Sequence, residues 1–288
     1  VFVEITDVFL RDGLQDEHVI VPTDAKLAVA AALADAGVPR IEAGSFVNPA
    51  RVPQMRDAAE LFARRPADAV PWTALALNGK GIARAVDAGA RQVAIVASAS
   101  RAHSTANAGR TTAEALADIA EEVARQRDAE DPVVFFAGIS TAFTCPFEGE
   151  IPAERVAEVV HAFLDMGVRD IGLADTLGNT PTDRLMATVR HVRDAAPEGV
   201  YSLHLHNALG QALDTATAAV EEGIVRFDAA LGGYGGCPFA PGAAGNLDTL
   251  ALVTHLHALG HDTGIDPDRL AEAVDLAHRV VREAPALA

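Results

Sequence analysis

Eight short runs rich in Val, Ile and Phe alternate along this chain with Ala-rich amphipathic segments, and that repeat sets the fold. The runs are "VFVEITDVF" (from Val1), "RIEAGSF" (Arg40), "VPWTALAL" (Val70), "QVAIVASAS" (Gln92), "PVVFFAGIST" (Pro132), "DIGLADT" (Asp170), "YSLHLHN" (Tyr201) and "RFDAALG" (Arg226). Each opens roughly 20 to 40 residues after the one before, the length of a βα unit. The helical stretch "TDAKLAVAAALADAG" has Thr23 or Asp24 as its expected N-cap, and it closes on Gly37. The stretch "PAERVAEVVHAFLDMG" closes in the same way on Gly167. Eight such units predict a single (β/α)8 barrel spanning 1–288, with "PDRLAEAVDLAHRVVREA" as an extra C-terminal helix in an extension over about 266–288. An open doubly wound sheet is the alternative. It usually has fewer strands and carries a Gly-rich phosphate loop after the first, where this chain has "LRDGLQDE".

The charge balance narrows the partners. With 23 Lys and Arg against 40 Asp and Glu, the net charge is −17. Nucleic acid needs a basic footprint, so it is excluded as the expected partner. An anionic small molecule needs only a local cluster of positive charge. No segment approaches the roughly 18 uninterrupted apolar residues of a membrane span. The start, "VFVEITDVFLRDG", lacks the basic head and cleavage site of a secretory signal. Two cysteines, Cys145 and Cys237, make no disulfide framework in a chain of this length. A reduced, cytoplasmic protein is the expectation.

In a barrel of this kind, chemistry gathers at the C-terminal ends of the strands and in the loops that follow. Arg11 and Asp12 fall at the end of the first strand, and Glu42 and Ser45 lie on the second. Asp175 and Thr176 end the sixth strand; His204, His206 and Asn207 end the seventh. After the eighth comes "GGYGGCPFAPGAAGN", holding Cys237 and Asn246. Strand alternation turns His204 and His206 to one face and Leu203 and Leu205 to the other. Asp12 and the two imidazoles then form a mixed O/N set suited to a divalent metal with positions open for substrate oxygens, and Asn246 adds a neutral oxygen. The structural alternative is a pair of hydrogen-bonded strand histidines.

Arg11 beside Asp12 reads either as a rim ion pair or as fixed positive charge for a developing enolate oxygen. Glu42, flanked by apolar residues, reads first as a buried partner for Arg11 and second as a proton-transfer group. Asp175 is a catalytic candidate or a helix cap. Cys237, among four glycines, is a small buried thiol or a proton-transfer group on a loop able to cover a site. Cys145 reads as structural.

Taken together, "RDGLQDE", "IEAGSFVNPARVPQM", "HLHNALGQAL" and "GCPFAPGAAGN" resemble the 3-hydroxy-3-methylglutaryl-CoA lyases of the DRE-TIM metallolyase superfamily, in the family's order and over nearly the whole chain. The resemblance implies a retro-Claisen cleavage of a 3-hydroxyacyl-CoA to acetyl-CoA and a keto acid such as acetoacetate, with Mg2+ or Mn2+ bound. It further implies a place in leucine degradation and ketone-body formation, and a homodimer. By motif, Asp12, His204, His206 and Asn246 match the metal ligands. Arg11 matches the enolate-stabilising arginine and Cys237 the mobile-loop cysteine, while Glu42 and Asp175 match acidic residues needed for activity. His204 is a candidate base. The chain departs from the family's pattern at Asn207 and Ala208, where Asp and Thr are usual. Asp7 stands in place of a glutamate, Phe9 and Leu10 in place of Gly and Pro, and Leu250 in place of another glutamate. Two further readings remain: a condensing enzyme joining acetyl-CoA to a 2-oxo acid, and a barrel that binds metal and ligand without turnover.

Overall fold

The computed structural model describes residues 1–236 and 245–287. The strands, in chain order, are β1 (Glu4–Asp7), β2 (Arg40–Ser45), β3 (Trp72–Ala76), β4 (Gln92–Ser98), β5 (Val134–Ser140), β6 (Thr144–Cys145), β7 (Gly149–Glu150), β8 (Asp170–Asp175), β9 (Val200–Leu205) and β10 (Arg226–Ala229). The helices are α1 (Thr23–Asp35), α2 (Ala58–Ala63), α3 (Gly79–Asp87), α4 (Arg101–Ala108), α5 (Thr112–Arg127), α6 (Ala153–Asp165), α7 (Thr182–Ala195), α8 (Ala212–Glu221), α9 (Thr249–Ala258) and α10 (Pro267–Glu283). Parallel pairing runs β1-β10-β9-β8-β5-β4-β3-β2 and returns to β1, which bonds both β10 and β2. Closure rules out the open doubly wound sheet. β6 and β7 form a small antiparallel hairpin after β5, which the strand pattern does not announce.

Alternation along the strands builds two different surfaces. Ile5, Ile41, Val93, Ile95, Ile139, Leu173, Leu203 and Leu205 are buried against the surrounding helices. The opposite face of the same strands carries small or polar residues, among them Thr6, Ala94, Gly138, Gly172 and Ser202. Packed barrels fill this space with branched side chains. Here a cavity of about 330 Å³ remains.

Two local expectations change. Pro22, with no side-chain cap bond, stands at the N-cap of α1, because the Thr23 hydroxyl instead donates to Asp57 Oδ2 at 2.9 Å. The stops hold: Gly37 and Gly167 take φ of 88° and 78° just past their helices. The second change matters more. β1 ends at Asp7, and Phe9–Gly13 wind into one π-helical turn. The N–H groups of Arg11, Asp12 and Gly13 all converge on the Val8 carbonyl, at 3.2, 2.7 and 3.1 Å. Arg11 and Asp12 are thus carried by a coiled turn over the barrel mouth and not by the strand end. α10 matches the predicted extra helix, is capped by Asp266, and packs on α1 and α9.

Candidate active site

The cavity is lined by Arg11, Asp12, Glu42, His204, His206 and Asp228, among others. Asp12, His204 and His206 each turn a ligand atom to a common point, all within 4.8 Å of one another. Asp12 Oδ2 lies 3.7 Å from His204 Nε2 and 3.8 Å from His206 Nε2. The two Nε2 atoms are 3.2 Å apart. Nitrogens that close cannot both carry protons: they share one, or they face a common cation. His206 is held by a bridge from its backbone to Asn246, where the chain returns after β10 to run beside β9. Asn246 donates through Nδ2 to Asp12 Oδ2 at 2.7 Å and to the Tyr234 carbonyl at 2.8 Å. Its Oδ1 is buried without a hydrogen-bond partner, as is His206 Nδ1. Buried polar atoms are rarely left unsatisfied. The N/O donor set and the orphaned Asn246 oxygen both fit a divalent cation.

Charge at the mouth is organised around Arg11. Its Nε meets Glu42 Oε1 and its Nη1 meets Asp12 Oδ1, with all three groups under 9% exposed. Burial alone would raise the Asp12 carboxyl, but Arg11 and then the two histidines outweigh it and hold Asp12 well below the carboxylate range. For Glu42 burial outweighs the pull of Arg11, so its carboxyl sits above the ordinary value. Burial opposes the charge on Arg11 too, yet Asp12 and Glu42 keep it firmly protonated. Glu42 is therefore the buried partner of Arg11. Burial, and then His204, push His206 down to about 4. His204 goes the other way: burial would lower it, but Asp228 and Asp12 raise it.

Asp228 was not legible as a site residue. It sits 3.3 Å from His204 Nδ1 and is the register partner of His204 across β9 and β10. Alternation in "RFDAALG" was the available signal, since Asp228 shares a face with neither Phe227 nor Ala229. Gln15, which donates to Asp12 Oδ1 at 3.0 Å, also escaped the sequence reading. Asp175 is not brought to the cavity. Along β8 it is Asp170, Gly172, Ala174 and then Thr176 that face inward. Asp175 points outward, accepts from the Thr180 hydroxyl at 2.8 Å and is pushed up to about 6 by burial. Cys145 is buried, 2.9 Å from Ser100 Oγ, in keeping with its structural reading. Cys237 lies outside the described residues.

Fold and mouth together define a (β/α)8 enzyme with an acid–imidazole cluster facing a fixed arginine. Residues 2–277 match the HMGL-like family model. The chain is 41% identical to (R)-citramalyl-CoA lyase of Chloroflexus aurantiacus, over 99% of this chain and 93% of that protein. It is 36% identical to the cytoplasmic 3-hydroxy-3-methylglutaryl-CoA lyase of Mus musculus, over 98% and 82%. Among solved structures, the HMG-CoA lyase of Brucella melitensis superposes with a TM-score of 0.93 at 38% identity, covering 98% of this chain and 99% of that one. An HMG-CoA lyase of Acinetobacter baumannii, in complex with coenzyme A and 3-methylmalate, gives 0.91 at 39%, covering 100% and 93%. This chain belongs to the HMG-CoA lyase family of the DRE-TIM superfamily, and it is a CoA-ester lyase. Among the described residues no helix is long and apolar enough to cross a membrane.

Proposed function

We propose that the protein is a divalent-metal-dependent carbon–carbon lyase. Its substrate is 3-hydroxy-3-methylglutaryl-CoA, or a close 3-hydroxyacyl-CoA such as citramalyl-CoA, cleaved by a retro-Claisen reaction. The observation that carries this reading is the convergence of Asp12, His204 and His206 with Arg11 in one buried cavity. Mg2+ or Mn2+ held by these three side chains, with Asn246 offering Oδ1, would supply Lewis acidity toward the substrate oxygens.

The chain's own groups account for the rest. Asp228 holds His204 at Nδ1 and so turns Nε2 toward the cation position; with both ring nitrogens engaged, the 3-hydroxyl proton passes to water at the mouth. As that proton leaves, the C2–C3 bond breaks, the C3 oxygen becomes a ketone, and the electron pair passes to C2 as a thioester enolate. Arg11, pinned by Glu42 and Asp12, offers fixed positive charge to the enolate oxygen. Cys237, assigned on the family resemblance, returns a proton to C2. Asp175 acts as a positioning residue for the turn that carries Thr176. The family resemblance suggests a cytoplasmic homodimer as the setting.

The test is product identification from each thioester separately, with Mg2+ or Mn2+. Acetyl-CoA with acetoacetate is expected from the first substrate, and acetyl-CoA with pyruvate from the second. No cleavage of either, in protein that binds the cation, would sink the lyase reading. Product from acetyl-CoA and a 2-oxo acid alone would replace it with the condensing one.

A further inference from the structure

This inference rests on the lyase reading above and concerns the proton that leaves the 3-hydroxyl. Water at the mouth receives it first, and water is a poor final acceptor beside a carboxylate. Most carboxylates lining the cavity are already committed. Asp12 and Glu42 hold Arg11, and Asp228 lies against His204 Nδ1. At the opposite end of the axis, Glu4 meets Arg40 at 3.0 Å and Asp170 meets Arg226. Asp16 is the exception. It lines the same cavity, yet its Oδ2 is buried without a hydrogen-bond partner among the described residues.

The local fold puts Asp16 there. After the π-helical turn over Phe9–Gly13, the coil continues helically through Leu14 and Gln15. Residues three and four apart on such a coil share a face, so Gln15 and Asp16 both follow Asp12. Gln15 turns back and donates to Asp12 Oδ1 at 3.0 Å. Asp16, one residue further, stands outside the group of ligand atoms formed by Asp12, His204 and His206. It is therefore beside the cation position without belonging to it. A buried acceptor left unpaired costs stability, and an atom of this kind calls for a donor from outside the chain. The cleavage steps described so far make no use of it.

The cavity, at about 330 Å³, has room for water beside an acyl arm, since one water takes up about 30 Å³. A water between the 3-hydroxyl and Asp16 accepts the hydroxyl proton while giving one of its own to Oδ2. The water ends unchanged and the aspartate ends neutral. The electron pair of the C2–C3 bond passes to C2, which takes its proton from another group. Asp16 then releases its proton to solvent and regains its charge. Burial, and then the charge on Asp12, raise the Asp16 carboxyl to about 6, with Glu17 adding to the rise and Arg11 opposing it. A carboxylate of that basicity takes a proton more readily than a surface aspartate and still gives it up near neutral pH.

We propose that Asp16 is the final acceptor of the 3-hydroxyl proton, reached through one water. The test compares the wild type with Asp16→Asn and Asp16→Ala as metal-loaded enzymes, using whichever thioester the wild type cleaves. Asp16→Asn keeps the shape of the side chain and removes the acceptor. Its kcat should fall by about 100-fold or more. Its KM, its Mn2+ dissociation constant and its affinity for 3-methylglutaryl-CoA, which lacks the 3-hydroxyl, should stay near the wild-type values. Added formate should restore turnover to Asp16→Ala in proportion to its concentration, which a merely structural residue would not allow. Wild-type kcat in Asp16→Asn overturns the proposal, as does a folded Asp16→Ala indifferent to formate. A loss of Mn2+ affinity matching the loss of kcat also overturns it, by making Asp16 a support for the cation. A wild type that cleaves neither thioester is a different outcome: it removes the lyase reading, and this proposal with it.

Discussion

A methyl group added at Gly235 would sit 2.5 Å from Asn246 Nδ2 and 2.8 Å from the Asp12 carbonyl oxygen, at a φ of +99° that side chains rarely adopt. The bond between Asn246 and Asp12 depends on that empty position. Gly235→Ala should therefore weaken divalent-cation affinity by about 10- to 100-fold, with the barrel's circular dichroism unchanged; unaltered affinity would show that Asn246 plays no part. Asp7 offers a second test at this scale. Burial raises its carboxyl from 3.8 to about 7, against the opposing hydrogen bonds from Thr249, Phe9 and Leu231. The folded state then holds a proton that the unfolded chain releases, so stability falls as pH rises from about 3.8 to 7. Asp7→Asn should flatten that dependence, by on the order of 1–4 kcal/mol across the window. Equal slopes in urea denaturation of the two proteins would contradict the assignment. Residue identity was partly legible beforehand. His204 and His206 declare themselves by alternation, whereas Asp228 becomes visible only when the β9–β10 register sets it opposite His204. Asp175 and Thr176 looked equally placed, but adjacent strand residues face opposite ways, and Thr176 holds the inward position.

Among the elements, the barrel strands were the most legible and the turns the least. All eight apolar runs became barrel strands because each buries one face under helices whatever its exact length. The π-helical turn over Phe9–Gly13 follows from three N–H groups sharing one carbonyl, a choice no residue pattern announces. The β6–β7 hairpin is similar, being two residues per strand and fixed by tertiary bonds. Glu148 within it accepts from the Ala102 N–H at 2.7 Å and the Ser100 hydroxyl at 3.0 Å, and so caps α4 from outside. Arg155 completes its set of partners. Glu148→Ala should cost about 0.5–2 kcal/mol of stability, as loss of a helix cap does. A variant with a wild-type denaturation midpoint would show that the hairpin does not anchor α4.

At the scale of the whole molecule, the outer shell of the barrel is packed with branched side chains while its axis is kept open by Ala94, Gly138, Gly172 and Ser202. A chain carrying a net charge of −17 nonetheless concentrates an arginine, two imidazoles and several carboxylates at one end of that axis. The proposed chemistry requires this cluster to hold one catalytic cation. The measurement that tests it most directly is a calorimetric Mn2+ titration of the EDTA-treated protein, with thioester cleavage followed at each step, in the wild type and in His206→Ala. One cation per chain, turnover rising with occupancy, and neither binding nor turnover in a folded His206→Ala are the predicted results. Full cleavage by the metal-free wild type, or undiminished Mn2+ affinity in His206→Ala, would contradict the account.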